Sequence, residues 1–390
     1  MQGRARAGLI GAVVALVAAT IVGLVVLWPA AGGPARPAFA APGASFPSGT
    51  VLDVKTVRCP AGGSAHDTCG QAEVRVNQGP DAGEVVSVQL SPDVMAAGIT
   101  NRVVLVRSPQ GTQASYTLQD LDRKGPLLLL TALFVLAVLA VARLRGALAL
   151  VGLVFAGLVM WKFMLPALLA GSEPVWVALT ASSAIMVIVL YLAHGLSART
   201  TTALLGTFAG LGLTAIIATW AVGSAHLTGA SNDESALLSQ QVSGLSARDL
   251  LLCGILLAGL GVLNDVTITQ SSAVWELREA GPHLTRVQLF NTGMRIGRDH
   301  IASTIYTIVF AYAGAALSVL MLIVLYGQPL SFTITSNDIA EEVVRTLASA
   351  IGLVLAVPIT TALAVLVVPA AASTPPQTSH RGIREHLAST

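Results

Sequence analysis

The chain has 390 residues, 54% of them hydrophobic and 11% charged, with a mean hydropathy of +0.74. A soluble domain carries roughly 25% charged residues, so a soluble enzyme is excluded. A disordered chain is excluded too, because low hydrophobicity is its signature. The net charge of +2 argues against nucleic acid as a partner, and what remains is an integral membrane protein whose first partner is the lipid bilayer.

A membrane span needs about 20 mostly apolar residues. The first such run, residues 7–27, reads as an N-terminal transmembrane anchor within residues 1–28. A cleaved signal peptide is the alternative, because Ala38-Phe39-Ala40 resembles a small-residue cleavage site. Against it stand the length of the apolar run and the long gap from Trp28-Pro29 to Ala40. Either reading leaves the later topology unchanged.

Residues 45–123 differ from everything after them. Short β-rich runs at 50–57, 72–76, 84–90, 102–107 and 115–118 are separated by Gly, Pro, Asn and Asp. Alternation such as Glu73-Val74-Arg75-Val76 fits half-buried strands. The spacing predicts a small OB-like barrel or sandwich. Cys59 and Cys69 fall in this domain, and on an oxidising side of a membrane they are expected as a disulfide. A metal site that adds His66 and Asp67 is the alternative; with neither cysteine in a C-x-x-C pair, no metal is expected.

Seven further apolar runs follow, at 126–142, 146–165, 174–193, 201–222, 250–269, 301–326 and 343–368. With the first they predict a mainly α polytopic transmembrane bundle of about eight spans. The membrane domain covers 126–369, and 370–390 is a disordered cytoplasmic tail. Pro166 is expected to end the third span and Pro358 to kink the last. With a cytoplasmic N-terminus, the short inner segments hold eleven basic residues (Arg4, Arg6, Arg143, Arg145 and Arg199 among them). The short outer segments hold only Lys162, Arg248 and Arg345. This asymmetry places both termini inside and residues 29–125 outside a cell membrane.

The sixth run carries the chemistry. Asp265, Thr269, Ser272 and Glu276 recur at helical spacing and form one stripe, with Asn264, Thr267 and Ser271 as a neighbouring one. An ionised Asp at a helix centre costs about 2.5–3.5 kcal/mol on insertion scales. The expected path for a small solute or ion is therefore Asn264, Asp265, Thr269, Gln270, Ser272 and Glu276. Hydroxyls and amides that only join helices are the competing reading. Residues 273–300 are expected to form a cytoplasmic amphipathic segment. Its Arg295, Arg298 and Asp299 would supply charges at the inner mouth, and an arginine there would reach Asp265 or Glu276. His194, His226 and His300 are expected near span ends. The chain holds no G-x-x-x-x-G-K-[ST], H-E-x-x-H or G-x-S-x-G motif, so neither an enzyme, with catalytic residues, nor a cofactor is expected.

The motif Gly261-Val262-Leu263-Asn264-Asp265-Val266-Thr267-Ile268-Thr269-Gln270, with Gly293-Met294-Arg295-Ile296-Gly297-Arg298-Asp299-His300, resembles the YibE/F-like membrane proteins of actinobacterial type. So does Phe310-Ala311-Tyr312-Ala313-Gly314-Ala315-Ala316-Leu317, and the likeness covers about residues 50–369. Two positions depart from the family pattern. Asn264 stands in place of an acid, which weakens a paired-carboxylate mechanism, and Ser318 in place of a proline, which predicts a straighter seventh span. The resemblance implies a multi-pass membrane protein, a permease or channel-like transporter by analogy of topology. A non-transporting assembly or sensor protein, whose β domain binds a ligand or partner, is the alternative. A homo-oligomer or a membrane partner is compatible with either.

Overall fold

The computed structural model describes residues 2–29, 43–58, 68–96, 98, 101–110, 113–231, 233–242 and 245–370. Cys59, the side chain of Cys69, His66, Asp67, the motif at 38–40 and the tail at 371–390 lie outside the described residues. The chain divides into two compact units, one of residues 35–141 and one of residues 1–34 with 142–390.

The smaller unit holds five antiparallel strands: β1 (Ser48–Arg58), β2 (Thr68–Val76), β3 (Val85–Leu90), β4 (Arg102–Gln110) and β5 (Gln113–Leu121). A short helix, α2 (Pro92–Ala96), follows β3, and the strand order is β3-β2-β1-β4-β5. All five expected strands are present. In β2 the period-two pattern puts Ala72, Val74 and Val76 in the core and exposes Arg75. Register shifts at Val51/Asp53 and Val104/Leu105 bend the central strands. The edge strands β3 and β5 then pack on each other, so the sheet nearly closes around Val88, Leu90, Val103, Leu105 and Leu121. At its edge Arg107 Nε lies 2.6 Å from Asp81 Oδ2, and the Tyr116 hydroxyl donates to the same oxygen. The hydrogen bond from Arg107, then that from Tyr116, holds the Asp81 carboxyl below the usual carboxylate range.

Helices make up the rest: α1 (Gln2–Val26), α3 (Lys124–Val159), α4 (Leu165–Leu169), α5 (Pro174–His194), α6 (Ala198–Ser224) and α7 (Asp233–Gln241). After them come α8 (Ala247–Ala280), α9 (Arg286–Ala315), α10 (Leu317–Leu325), α11 (Leu330–Thr335) and α12 (Asn337–Val367). α8 is the axis of the larger unit, flanked by α5, α6, α9 and α12. Its Leu256, Leu260, Leu263 and Val266 pack with Leu211, Leu353 and Val357. Gly206 leaves room for Thr360, whose Oγ1 lies 2.0 Å from where a Cβ on Gly206 would sit. That contact brings the backbones of α6 and α12 together. On α1, Gly23 meets Thr180 of α5, and the Thr20 and Ser183 hydroxyls are hydrogen-bonded.

Large apolar side chains stand exposed around the bundle, among them Ile216 at 69%, Phe310 at 73% and Val324 at 80%. Water does not tolerate a belt of that kind, and this is a membrane protein. Six helices are long and apolar enough to cross a bilayer, and the pair α9–α10 makes a seventh if it is one span. The expected eight differ from this at one place. The second and third runs fall within one 46-residue stretch, Lys124–Leu169, in which two helical segments meet at a break. The break lies at Arg143 (φ 50°, ψ −130°), with no Gly or Pro between 143 and 145 to mark it.

Three local expectations are corrected. The helix does not stop at Pro166: a π-turn over Met160–Met164 precedes α4, which runs to Leu169. The wider turn absorbs the missing proline amide. The seventh run is not straight, because α9 and α10 meet at 65°. The break falls in Ala313-Gly314-Ala315-Ala316, small side chains that do little to hold a helix straight. Residues 273–300 are not a separate amphipathic segment either. α8 continues to Ala280, and α9 starts at Arg286 and runs without interruption into the apolar stretch. Capping boxes at Ser246 and Thr285 fix the N-terminal ends of both helices.

Candidate functional site

Two hydrogen bonds set the height of α8 against its neighbours. Cys253 Sγ donates to the carbonyl of Pro174 at the start of α5, at 3.3 Å, and Ser271 Oγ donates to that of Arg199 in the first turn of α6, at 2.8 Å. Eighteen residues separate the two, about 27 Å of helix, close to one hydrocarbon thickness. Asp265 lies six residues from the Arg199 level, roughly 9 Å inside it.

The two polar stripes of α8 face opposite ways. One is sealed in the bundle. The Gln270 amide is 2% exposed; its Nε2 donates to Gly293 O of α9 at 2.9 Å and to Thr361 Oγ1 of α12 at 2.7 Å. The Thr267 and Thr207 hydroxyls are 2.6 Å apart. Half-buried Asn264 completes this side, and its Oδ1 is buried without a hydrogen-bond partner. Gly293 and Gly297 make the contact: a Cβ on Gly297 would meet Val357 at 2.7 Å and the Gln270 amide at 3.0 Å.

The other stripe looks outward. Asp265 keeps 72% of its side-chain surface and lies 3.9 Å from His300 Nε2. Thr269 is exposed and Ser272 half-buried. Glu276, 70% exposed, lies 3.7 Å from Arg199 Nη1. Arg295, Arg298 and Asp299 are exposed as well and form no ion pair among the described residues. The six expected path residues are therefore divided, with Asn264 and Gln270 inside, Asp265, Thr269 and Glu276 outside, and Ser272 at the border.

The partners of the two acids also differ from expectation. Arg295 and Arg298 do not reach them; Asp265 is met by His300 and Glu276 by Arg199. The reason is helical phase. Gly293 and Gly297 face α8, and at 100° per residue Gly293, Gly297, His300 and Thr304 fall on one stripe, which turns Arg295 and Arg298 away. Reading that stripe in the sequence would have found His300. Arg199, Thr207 and Thr361 carry no such signal, because they belong to helices distant along the chain.

A second polar cluster escaped the sequence. Glu341 at the start of α12 is 2% exposed. It accepts from Gly229 N at 2.8 Å, Ser231 Oγ at 2.6 Å and Asn337 Nδ2 at 2.7 Å, pinning the loop after α6. Among the described residues no three His, Cys, Asp or Glu side chains are grouped to hold a metal ion. The arrangement offers a carboxylate–imidazole pair, Asp265 with His300, within a long apolar helix pair, with hydroxyls along the same helix face. Such a pair can exchange protons or bind a cation.

The family model described as YibE/F-like protein matches residues 130–370, well over half of the chain. No curated protein and no solved structure matches significantly. The match takes in α8, α9 and α12 with every residue of the two stripes, and the chain belongs to the YibE/F-like family.

Proposed function

We propose that this chain is a multi-pass cell-membrane permease or channel-like transporter that moves a small ion or solute along the outward face of α8. In this reading it crosses the bilayer eight times, with both termini cytoplasmic and the β unit outside. It is not an enzyme, and its partners are lipid, the translocated species and no nucleic acid. The observation that carries the reading is the contact between exposed Asp265 and half-buried His300, within an apolar helix where lipid would penalise a charge. Thr269 and Ser272 continue the same face one and two turns on, and Glu276 with Arg199 closes it at the α6 end.

Reconstitution tests it. Proteoliposomes carrying a trapped pH dye, under imposed proton, sodium or potassium gradients, are expected to show flux that Asp265→Asn lowers at least tenfold, about 1.4 kcal/mol in barrier. Equal flux in wild type and variant under every gradient would sink the proposal.

The second reading is a non-transporting assembly or sensor protein. It draws support from the inner stripe, where Gln270, Ser271 and Thr267 have protein partners and serve as helix-to-helix bonds, and from a β unit with its own core. It expects Asp265→Asn to leave activity intact and removal of the β unit to abolish it.

A further inference from the structure

We propose that the exposed polar face of α8 and α9 is a docking surface for a second copy of this chain. Gln270 pairs with Gly293 and Asp265 with His300, so α9 runs antiparallel to α8. Arg298 and Asp299, next to His300 in sequence, therefore share the depth of Asp265, about 9 Å inside the Arg199 level. Asp265, Arg298 and Asp299 at that depth are exposed on the outside of the bundle, His300 is half-buried beside them, and only the Asp265–His300 contact joins any two of the four. Lipid does not accept such a face.

Charge complementarity selects the occupant. At that depth the exposed face of α8 offers Asp265, while α9 offers Arg298 with Asp299 beside it; Glu276 lies roughly 16 Å farther along α8 and is met by Arg199. A two-fold axis along the membrane normal conserves depth, so Asp265 of one copy meets Arg298 of the other, and each surface satisfies its mate. The α8 face is also shaped for close approach. Gly261 has open space where a Cβ would stand, and Thr269 and Ser272 are small. The chain's own apolar run at 126–142 has no charged side chain and answers none of these groups. The inference concerns the same face as the proposed path, which in a dimer runs along the seam between two copies; its test reads mass and not flux, so the two readings fail separately.

Full-length Gly261→Cys and Thr269→Cys, each with Cys253→Ala, are oxidised in native membranes. A reducible band at twice the monomer mass is expected from both. It should be at least tenfold weaker from Ile216→Cys on the lipid-facing side of α6, and at least fivefold weaker when Arg298→Glu is added. Wild type in nanodiscs, where no substitution can disturb folding, is expected to weigh as a dimer by mass photometry. Three results would overturn the proposal: a monomer in nanodiscs, a crosslink within one chain between Thr269→Cys and Leu133→Cys, or a Thr269→Cys monomer open to a membrane-impermeant thiol reagent. The second would assign the face to the chain's own helix, and the third to a water-filled groove.

Discussion

Gln270 and Asp265 sit five residues apart on one helix, and their surroundings assign them different work. The Gln270 amide is sealed among α8, α9 and α12 with two acceptors, so Gln270→Leu leaves Gly293 O and Thr361 Oγ1 without their donor. A loss of about 1–3 kcal/mol is expected, read as a lowered melting temperature in detergent. Asp265→Asn, on an exposed side chain, is expected to change stability by less than about 0.5 kcal/mol while it alters flux. In the β unit, Asp81 has a lowered folded pKa through Arg107 and Tyr116. Its stabilising contribution is complete above the ordinary value of 3.8 and is lost as pH falls through the lowered folded value. Asp81→Asn is thus expected to speed amide exchange in β4 and β5 at pH 7, with the difference from wild type fading toward pH 2.

Between helices, the decisive positions are those where backbone meets side chain. A Cβ on Gly206 would collide with Thr360, and Gly206→Val is expected to cost roughly 1–3 kcal/mol by overpacking. Gly261→Ala meets open space and should be neutral in a melt of the isolated monomer. Both glycines look alike in the sequence. Glu341→Ala removes the acceptor of three donors at once and is expected to destabilise by about 3 kcal/mol, with faster proteolysis of the loop after α6. The strands were legible from their period-two alternation, and the long helices from apolar runs of span length. The bend at Ala316 and the π-turn before Pro166 were not, because small residues and a proline permit such breaks without fixing which one the chain takes.

At the scale of the whole molecule, the number of crossings turns on Arg143. If the stretch Lys124–Leu169 makes two crossings, Ser172→Cys is labelled by an impermeant thiol reagent from outside, and Leu196→Cys, 87% exposed, only from inside. If it makes one, both assignments reverse. The sequence by itself determined the solvent of this protein, because its shortage of charge leaves lipid as the only medium for so much apolar surface. It also determined the five strands, and the two polar stripes on α8, since helical period depends on nothing beyond the chain itself. Only the tertiary structure decided which stripe is sealed and which is open. That choice was made by Gly293, Gly297, Thr361 and Arg199, residues on other helices whose size and reach set how closely each neighbour approaches α8. A stripe becomes interior where a neighbour without a side chain lets two backbones meet, and it stays open where none does.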